Sequence, residues 1–162
     1  MKCSECGATM KVTHRDHRYT ECGLPNVILA GLEFRTCQKC GEEERVMPRL
    51  TALHRMIAEA VAEKPARLTG AEVRFLRKHL GWSGEDFANV MGVRQETVSR
   101  WETEKERMGV VSERLLRLMA LRLRPVEEYP NERLAEVGKE DPRPVSLRLR
   151  PNSSGWRMEE AA

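Results

Sequence analysis

Two short stretches carry the same motif, Cys-x-x-Cys-Gly: Cys3-Ser-Glu-Cys6-Gly7 and Cys37-Gln-Lys-Cys40-Gly41. Two residues between paired cysteines allow one loop to direct both thiolates at a single ion. The glycine suits a tight, left-handed turn that brings backbone N–H groups toward sulfur. Four thiolates form a closed tetrahedral shell without an open position for water or substrate, which is typical of structural zinc. The sequence therefore predicts a zinc site formed by Cys3, Cys6, Cys37 and Cys40.

Other uses of the cysteines fit the chain less well. A disulfide needs an oxidising compartment, and we expect no signal peptide because no apolar run follows Met1. A single iron held by four thiolates would make an electron carrier, which nothing else in the chain supports. We interpret Cys22, the fifth cysteine, as a small, partly buried apolar residue, and His14 and His17 as polar positions on a strand.

The net charge of +3 conceals a gradient along the chain. Residues 1–63 are neutral, whereas residues 64–124 hold 13 basic and 8 acidic residues, a net of +5. Residues 125–162 carry a net of −2. Positive charge concentrated in the middle favours an anionic partner there, such as a phosphate backbone. No stretch is apolar enough to span a bilayer, so we expect a cytoplasmic protein that makes no membrane contact.

Residues 1–47 form the predicted metal module. Lys11–Tyr19 and Val27–Phe34 carry residues compatible with β-strands, and a turn signal lies between them at Gly23-Leu-Pro-Asn26. We expect a small antiparallel sheet held by zinc, because a module this short cannot bury enough apolar surface alone. Residues 48–64 follow as a linker helix.

Residues 65–124 have a dense, all-helical pattern of apolar positions. Thr69-Gly-Ala-Glu72 and Ser83-Gly-Glu-Asp86 are capping boxes that begin two helices, and Gly92-Val93 makes a tight turn after the second. Four helices are expected, and they cover about residues 69–79, 83–91, 95–103 and 112–123. The second and third have the dimensions of a helix-turn-helix.

The third of these helices is amphipathic. Val98 and Trp101 lie three residues apart and are expected to face the core. The outer face is polar and suits a major groove, since Arg pairs with guanine edges, Gln with adenine edges, and Ser reaches bases or phosphates. An ordinary solvated face with a Glu96–Arg100 ion pair is the alternative. We predict DNA binding by Arg94, Gln95, Glu96, Thr97, Ser99 and Arg100.

Residues 125–162 contain five prolines and the sequence Asn152-Ser-Ser-Gly155, so we expect a flexible, extended tail. Val145, Leu147 and Leu149 alternate with polar residues, which is enough for one short strand at a sheet edge. The solvated tail is the favoured interpretation of this segment.

The sequence Leu80-Gly-Trp-Ser-Gly-Glu-Asp-Phe-Ala-Asn-Val-Met-Gly-Val-Arg-Gln-Glu-Thr-Val-Ser-Arg-Trp-Glu102 resembles a helix-turn-helix of the Xre/Cro type. Together with the two N-terminal knuckles, it resembles the MqsA (YgiT-type) antitoxin family over roughly residues 1–122. The resemblance implies a zinc-bound N-terminal domain that engages a cognate toxin, often an mRNA-cleaving ribonuclease. It also implies a C-terminal domain that dimerises and binds a palindromic operator.

Two positions depart from these family patterns. The family's recognition helix reads bases with an Asn and, four positions later, an Arg. The Arg corresponds to Arg100, but Glu96 occupies the Asn position. A carboxylate repels phosphate and prefers cytosine amino groups, so the operator sequence does not carry over. Xre/Cro domains usually place Gln at the start of the second helix, where Gly84 stands here and weakens the brace on the recognition helix.

These observations predict an α+β chain: a small zinc-pinned antiparallel β module, an all-α Xre/Cro-type helix-turn-helix domain and an extended tail. The predicted function is a homodimeric DNA-binding transcriptional repressor that acts as the antitoxin of a type II toxin–antitoxin pair. The alternative is a free-standing zinc-finger and helix-turn-helix regulator without a toxin partner. A redox or metal-handling protein is a third class. We expect no enzyme, because no nucleophile–base constellation or open metal site is evident, and acidic pairs such as Glu102 with Glu104 fit solvated helix faces.

Overall fold

The computed structural model describes residues 1–121, 140–153 and 155–159. The chain divides into two compact units. The sheet unit comprises Met1–Tyr19, Asn26–Leu53 and Ser146–Ala162, and the helical unit comprises Thr20–Pro25 and His54–Val145. Within the described residues, no helix has both the length and the apolar character needed to cross a membrane.

The sheet unit is built around one central strand. Its strands are β1 (Met10–Arg18), β2 (Val27–Cys37), β3 (Glu43–Val46), β4 (Leu147–Asn152) and β5 (Gly155–Glu159). β1 runs antiparallel along one side of β2. On the other side of β2, β3 pairs antiparallel with residues 33–36, and β4 pairs parallel with Val27–Leu29. β5 completes the sheet as the antiparallel partner of β4.

The inward face of β2 changes phase at Gly31. Val27 and Leu29 are fully buried, and after the glycine the buried apolar positions become Leu32 and Phe34. Gly31 has a φ of 60°, in the left-handed region that glycine adopts readily. The pairing with β1 shifts register at the same level, where Ala30 and Gly31 form a bulge in β2 opposite Asp16. The Asp16 Oδ1 accepts the Gly31 N–H at 3.0 Å.

Five helices lie in the described residues: α1 (Leu50–Glu63), α2 (Gly70–His79), α3 (Gly84–Met91), α4 (Gln95–Glu102) and α5 (Val110–Leu121). Both predicted capping boxes are present. The Glu72 N–H donates to Thr69 Oγ1 at 3.3 Å, and the Asp86 N–H donates to Ser83 Oγ at 3.1 Å. Reciprocal bonds from each acidic side chain satisfy the backbone N–H of the cap, which fixes where α2 and α3 begin.

A buried ionic network ties α5 to the segment that joins α1 and α2. The Arg117 side chain is fully buried, and its guanidinium donates to the backbone carbonyls of Ala62, Lys64 and Ala66. Glu113, 1 % exposed, accepts from Arg117 at 2.7 Å. The joining segment has no secondary structure of its own, so these side chains satisfy backbone groups that would otherwise be buried without partners.

A second buried carboxylate, Glu72, holds the segment before β4. It accepts hydrogen bonds from Lys64 Nζ at 2.6 Å and from the Thr69 N–H at 2.8 Å. It also accepts the Val145 N–H at 3.0 Å. Burial lowers the pKa of Lys64, although the ion pair with Glu72 opposes this effect. One side chain therefore caps α2 and fixes the end of the helical unit.

The predicted α+β class is confirmed, with a β module and an all-α domain. One expectation for the C-terminal segment is corrected: Leu147–Asn152 and Gly155–Glu159 are strands of the sheet, where the sequence favoured a solvated tail. The reason is that Leu147, Leu149 and Trp156 are buried, at 5 %, 0 % and 6 % exposure. The predictions for residues 122–139, including the end of the fourth helix, concern residues outside the described part of the chain. The domain boundaries at residues 47, 64 and 124 stay predictions.

Replacing Arg117 with Ala should lower the free energy of unfolding of the helical unit by about 3–5 kcal/mol, because Glu113 and three carbonyls would remain buried with a partner missing. Urea unfolding followed by helical circular dichroism measures this. Arg107→Ala is the control, since Arg107 and Asp141 form an exposed pair at 3.6 Å, and its loss should cost less than about 1 kcal/mol. Equal costs for the two variants would contradict a stabilising role for the buried network.

Candidate metal centre and recognition helix

The two knuckles fold into matching turns. In the first, the Gly7 N–H donates to the Cys3 carbonyl at 3.0 Å, and in the second the Gly41 N–H donates to the Cys37 carbonyl at 3.0 Å. Both glycines have positive φ, 71° and 80°. A side chain would be strained in this conformation, so the glycine of each motif has the conformational role that the sequence predicted.

Strand pairing brings the knuckles together. Cys37 is the last residue of β2 and lies opposite Met10, the first residue of β1. Cys3, Met10 and Cys37 form a small buried cluster, and Cys6 packs against it. The β1–β2 ladder thus places the first knuckle beside the second.

The sulfur atoms are close enough for one shared ion. All four Sγ atoms lie within 4.8 Å of one another. Cys3 Sγ is 3.6 Å from Cys40 Sγ, and Cys6 Sγ is 3.4 Å from Cys37 Sγ. A tetrahedral ion with metal–sulfur bonds near 2.3 Å has sulfur–sulfur edges of about 3.8 Å. The cluster can therefore hold a metal ion, and no other such group of three or more potential ligands occurs in the described part of the chain.

The backbone favours ionisation of one thiol in particular. The N–H groups of Cys40 and Lys39 lower the pKa of the Cys37 thiol to about 6. The Glu42 N–H acts in the same sense on Cys40, but hydrogen bonds with the thiols of Cys37 and Cys6 outweigh it and raise the pKa of Cys40 to about 12. Cys37 therefore ionises before Cys40. A bound cation is what would keep all four as thiolates near neutral pH.

The remaining cysteine, Cys22, and the two histidines of β1 are not members of the four-thiol cluster. Cys22 belongs to the helical unit and is half-buried, and burial raises the pKa of its thiol. His14 and His17 are positions of β1, as predicted. The His17 ring packs edge-on against Phe34 at 6.0 Å between centroids, and its Nε2 is 2.8 Å from Arg45 Nη1.

α3 and α4 form the helix-turn-helix. Gly92 ends α3 in the left-handed conformation, with a φ of 66°. Val98 and Trp101 of α4 are 2 % and 6 % exposed, so the predicted inner face of this helix is observed. The Trp101 ring meets Phe87 of α3 edge-on, with centroids 6.3 Å apart. This contact fixes the two helices against each other and leaves the opposite face of α4 outward.

The structure brings the six predicted DNA-binding residues to α4. Arg94 is its N-cap residue and the other five lie within the helix. Thr97 is half-buried and the other side chains are exposed. Arg100 Nη1 lies 3.8 Å from Glu106 Oε2, with the two side chains 61 % and 50 % exposed. An ion pair this long and this exposed is weak, so the guanidinium remains available to a ligand.

A buried carboxylate orients α4. Glu102, the last residue of the helix, accepts from Arg74 Nε at 2.9 Å and from Arg77 Nε at 2.5 Å, and both arginines lie on α2. Burial opposes ionisation of Glu102, but the two arginines hold its pKa below the usual range. The expectation of a solvated helix face for Glu102 is therefore wrong. The available signal was the pair of arginines three residues apart on α2, which together present two guanidinium groups to one carboxylate.

α2 also touches the end of α4 through its backbone. The Gly70 N–H donates to Glu104 Oε1 at 2.8 Å, and a Cβ built on Gly70 would lie 2.6 Å from the Glu102 carbonyl oxygen. Any side chain at position 70 would push the two helices apart. At the other end of α4, the Gln95 Nε2 lies 3.8 Å from the place that a Cβ on Gly84 would take. Gln95 thus stands beside the position where the family pattern has Gln.

Comparison with known proteins gives one family. Residues 1–128 match the model of the antitoxin component of the bacterial toxin–antitoxin system, MqsA. No curated protein and no solved structure matches the chain. The matched region contains both knuckles and all five helices of the described residues, and it ends before β4. The chain therefore belongs to the MqsA antitoxin family.

Proposed function

We propose that this protein is a homodimeric transcriptional repressor and the antitoxin of a type II toxin–antitoxin pair. In this proposal the helix-turn-helix binds operator DNA, and the sheet unit binds the toxin, an mRNA-cleaving ribonuclease. The observation that carries the proposal is the presence of a four-thiol cluster and an outward-facing polar recognition helix in one chain of this family. Both parts support binding, and we propose no catalytic role for either.

Zinc is the proposed metal, held by Cys3, Cys6, Cys37 and Cys40. Four thiolates fill a tetrahedral shell, so the ion has a structural task and presents no open position. Zinc would supply folding free energy to the sheet unit, because its ligands come from the two chain segments that meet at one end of the β1–β2 ladder.

DNA recognition is assigned to the outer face of α4. Arg100 is the proposed base reader, since a guanidinium binds both acceptors of a guanine edge. Gln95 and Ser99 lie on the same helix with exposed side chains. Glu96 favours a cytosine amino group at one position and disfavours close phosphate contact. The net charge of +5 on residues 64–124 supports binding to a polyanion.

The proposed dimer contact is an apolar stripe on α5. Val111, Leu115 and Leu118 are 79 %, 39 % and 37 % exposed. Their spacing of four and three residues places them on one face of the helix. A second copy of the chain is the proposed occupant, because an inverted-repeat operator requires two recognition helices related by two-fold symmetry.

One observation favours the alternative of a free-standing regulator. β4 already pairs with the edge of β2 at Val27–Leu29, an edge that a protein partner would otherwise meet. Co-purification with the product of the adjacent gene separates the two functions. A small ribonuclease that co-purifies with the full chain supports the antitoxin, and operator binding with no such partner supports the free-standing regulator.

Replacing Cys37 with Ser should abolish zinc binding and unfold the sheet unit, because the shell loses one of its four ligands. The helical signal of α2–α5 should survive. Native mass spectrometry and circular dichroism measure the two effects. Cys22→Ser is the matched control and should retain one zinc per chain. Loss of both zinc and helix in Cys37→Ser would rule out separate folding of the two parts.

Replacing Arg100 with Ala should weaken operator binding by about 1–3 kcal/mol and relax the preference at one base position. Fluorescence anisotropy with operator and random duplexes at fixed salt measures both. Arg150→Ala, an arginine in the sheet unit, should leave the ratio of the two affinities unchanged. If Arg100→Ala also leaves that ratio unchanged, Arg100 is not a base reader.

Replacing Leu115 with Glu should convert the dimer to a monomer, because it places a charge in the middle of the proposed α5 contact. Sedimentation velocity measures the mass. Val12→Glu, which changes a 48 % exposed residue of β1, is the control and should leave a dimer. A dimeric Leu115→Glu protein would place the contact elsewhere.

A further inference from the structure

The sheet is completed by residues beyond the region that matches the family. β4 and β5 form a hairpin, here called the C-terminal hairpin, which follows residue 128, where the match ends. β4 lies parallel to β2, with Val27, Ile28 and Leu29 opposite Leu147, Arg148 and Leu149. The hairpin therefore occupies an edge of the central strand of the sheet unit.

The occupied edge has two apolar positions. Leu147 and Leu149 are 5 % and 0 % exposed, and their register partners Val27 and Leu29 are fully buried. The Leu147 N–H donates to the Asn26 carbonyl at 2.8 Å, which sets the register of the parallel pair. A strand at this edge must therefore present apolar side chains two residues apart.

The residue between Leu147 and Leu149, Arg148, meets a carboxylate. Arg148 reaches across β2 to Asp16 on β1, with Nη2 2.6 Å from Asp16 Oδ2. The Gly31 N–H donates to the other carboxylate oxygen at 3.0 Å, so the bulge in β2 holds this group in a fixed position. The Gly31 N–H and Arg148 also lower the pKa of Asp16, which keeps it ionised. The edge thus selects an apolar–Arg–apolar strand.

The C-terminal hairpin has more paired positions between its own strands than with β2. β4 meets β2 at three paired positions, whereas β4 and β5 pair at five. The Arg148–Asp16 pair is 39 % and 47 % exposed, and such pairs contribute little against solvent. Trp156 adds one anchor, since its Nε1 donates to the Pro48 carbonyl at 2.7 Å. The two strands are expected to leave and return as a unit.

We propose that the edge of β2 at Val27–Leu29 is a strand-docking site and that the C-terminal hairpin is its intramolecular occupant. A partner strand of the pattern apolar–Arg–apolar competes with β4 for the same edge, and its arginine takes Asp16. On the function proposed above, which this inference extends, that strand belongs to the toxin. The C-terminal hairpin then lowers the affinity of the antitoxin for the toxin strand by competing for the same edge.

The test uses the full-length protein and a fluorescent peptide with the sequence of residues 145–159. Leu149→Asp in the protein should displace the intramolecular strand, and this variant should bind the peptide at least about tenfold more tightly than the wild type, whose edge is filled at high effective concentration. Met158→Asp is the matched control, because Met158 is paired with Leu149 in the hairpin but is 50 % exposed. It should bind the peptide as the wild type does.

A peptide carrying Arg148→Glu should bind the Leu149→Asp protein at least about tenfold more weakly, since it places a like charge against Asp16. Zinc content and helical circular dichroism verify folding. If Leu149→Asp does not fold, Arg148→Glu in the protein is the second variant, because that side chain is partly exposed. Equal peptide binding by wild type, variant and control would overturn the docking site.

The partner is tested with the product of the adjacent gene. The affinity of this gene product for the wild-type protein should fall when the peptide is added in excess. Its affinity for the Leu149→Asp protein should exceed its affinity for the wild type. A toxin that binds the wild type and is unaffected by the peptide overturns this inference and leaves the proposed function standing. Peptide binding to Leu149→Asp with no toxin binding to any variant supports the docking site and contradicts the antitoxin function.

The oligomeric state of the wild type tests whether the hairpin docks within its own chain. If adding the peptide converts a wild-type oligomer to a smaller species, the hairpins were exchanged between copies, and the proposal that each hairpin fills its own chain's edge is overturned.

Discussion

The closure of one end of the β1–β2 ladder by four sulfur atoms is the constraint on which the sheet unit depends. Cys3 and Cys6 precede β1, and Cys37 ends β2, so a shared ion would lock the register that begins at Met10↔Cys37. That register fixes the β2 bulge opposite Asp16 and, through it, the face that β2 buries on each side of Gly31. The edge that meets β4 is positioned by the same ladder.

The helical unit is organised by buried carboxylates. Glu113 accepts a hydrogen bond from the segment between α1 and α2, and Glu72 accepts one from Val145 while it caps α2. Glu102, on α4, accepts hydrogen bonds from two arginines of α2. Each carboxylate is surrounded by N–H donors, which is the condition for burying a charge at acceptable cost. Removing one donor therefore disturbs several elements at once. The orientation of α4 follows from this arrangement, in which the three carboxylates are buried.

Local signals in the sequence predicted much of the fold and of the candidate site. Cys-x-x-Cys-Gly spacing, the capping boxes at Thr69 and Ser83, and the inward positions of Val98 and Trp101 each depend on residues close in sequence. The role of Glu102 was missed because charged residues are usually solvated, and its partners lie 25 and 28 residues away. A solvated tail was favoured over the strand β4 for a similar reason. The apolar alternation of β4 is short, and its burial depends on pairing with Val27–Leu29 near the other end of the chain.

The separation of β2 from β4 along the chain also has a consequence in time. A ribosome completes β2 at Cys37 and reaches Leu147 about 110 residues later. At roughly 5–20 residues per second, that interval is on the order of 5–20 s. From Gly41 onward the nascent chain contains both knuckles, while the edge at Val27–Leu29 has not yet received its own strand. On the docking site proposed above, a partner strand present during this interval would meet the β2 edge before β4 is available to fill it.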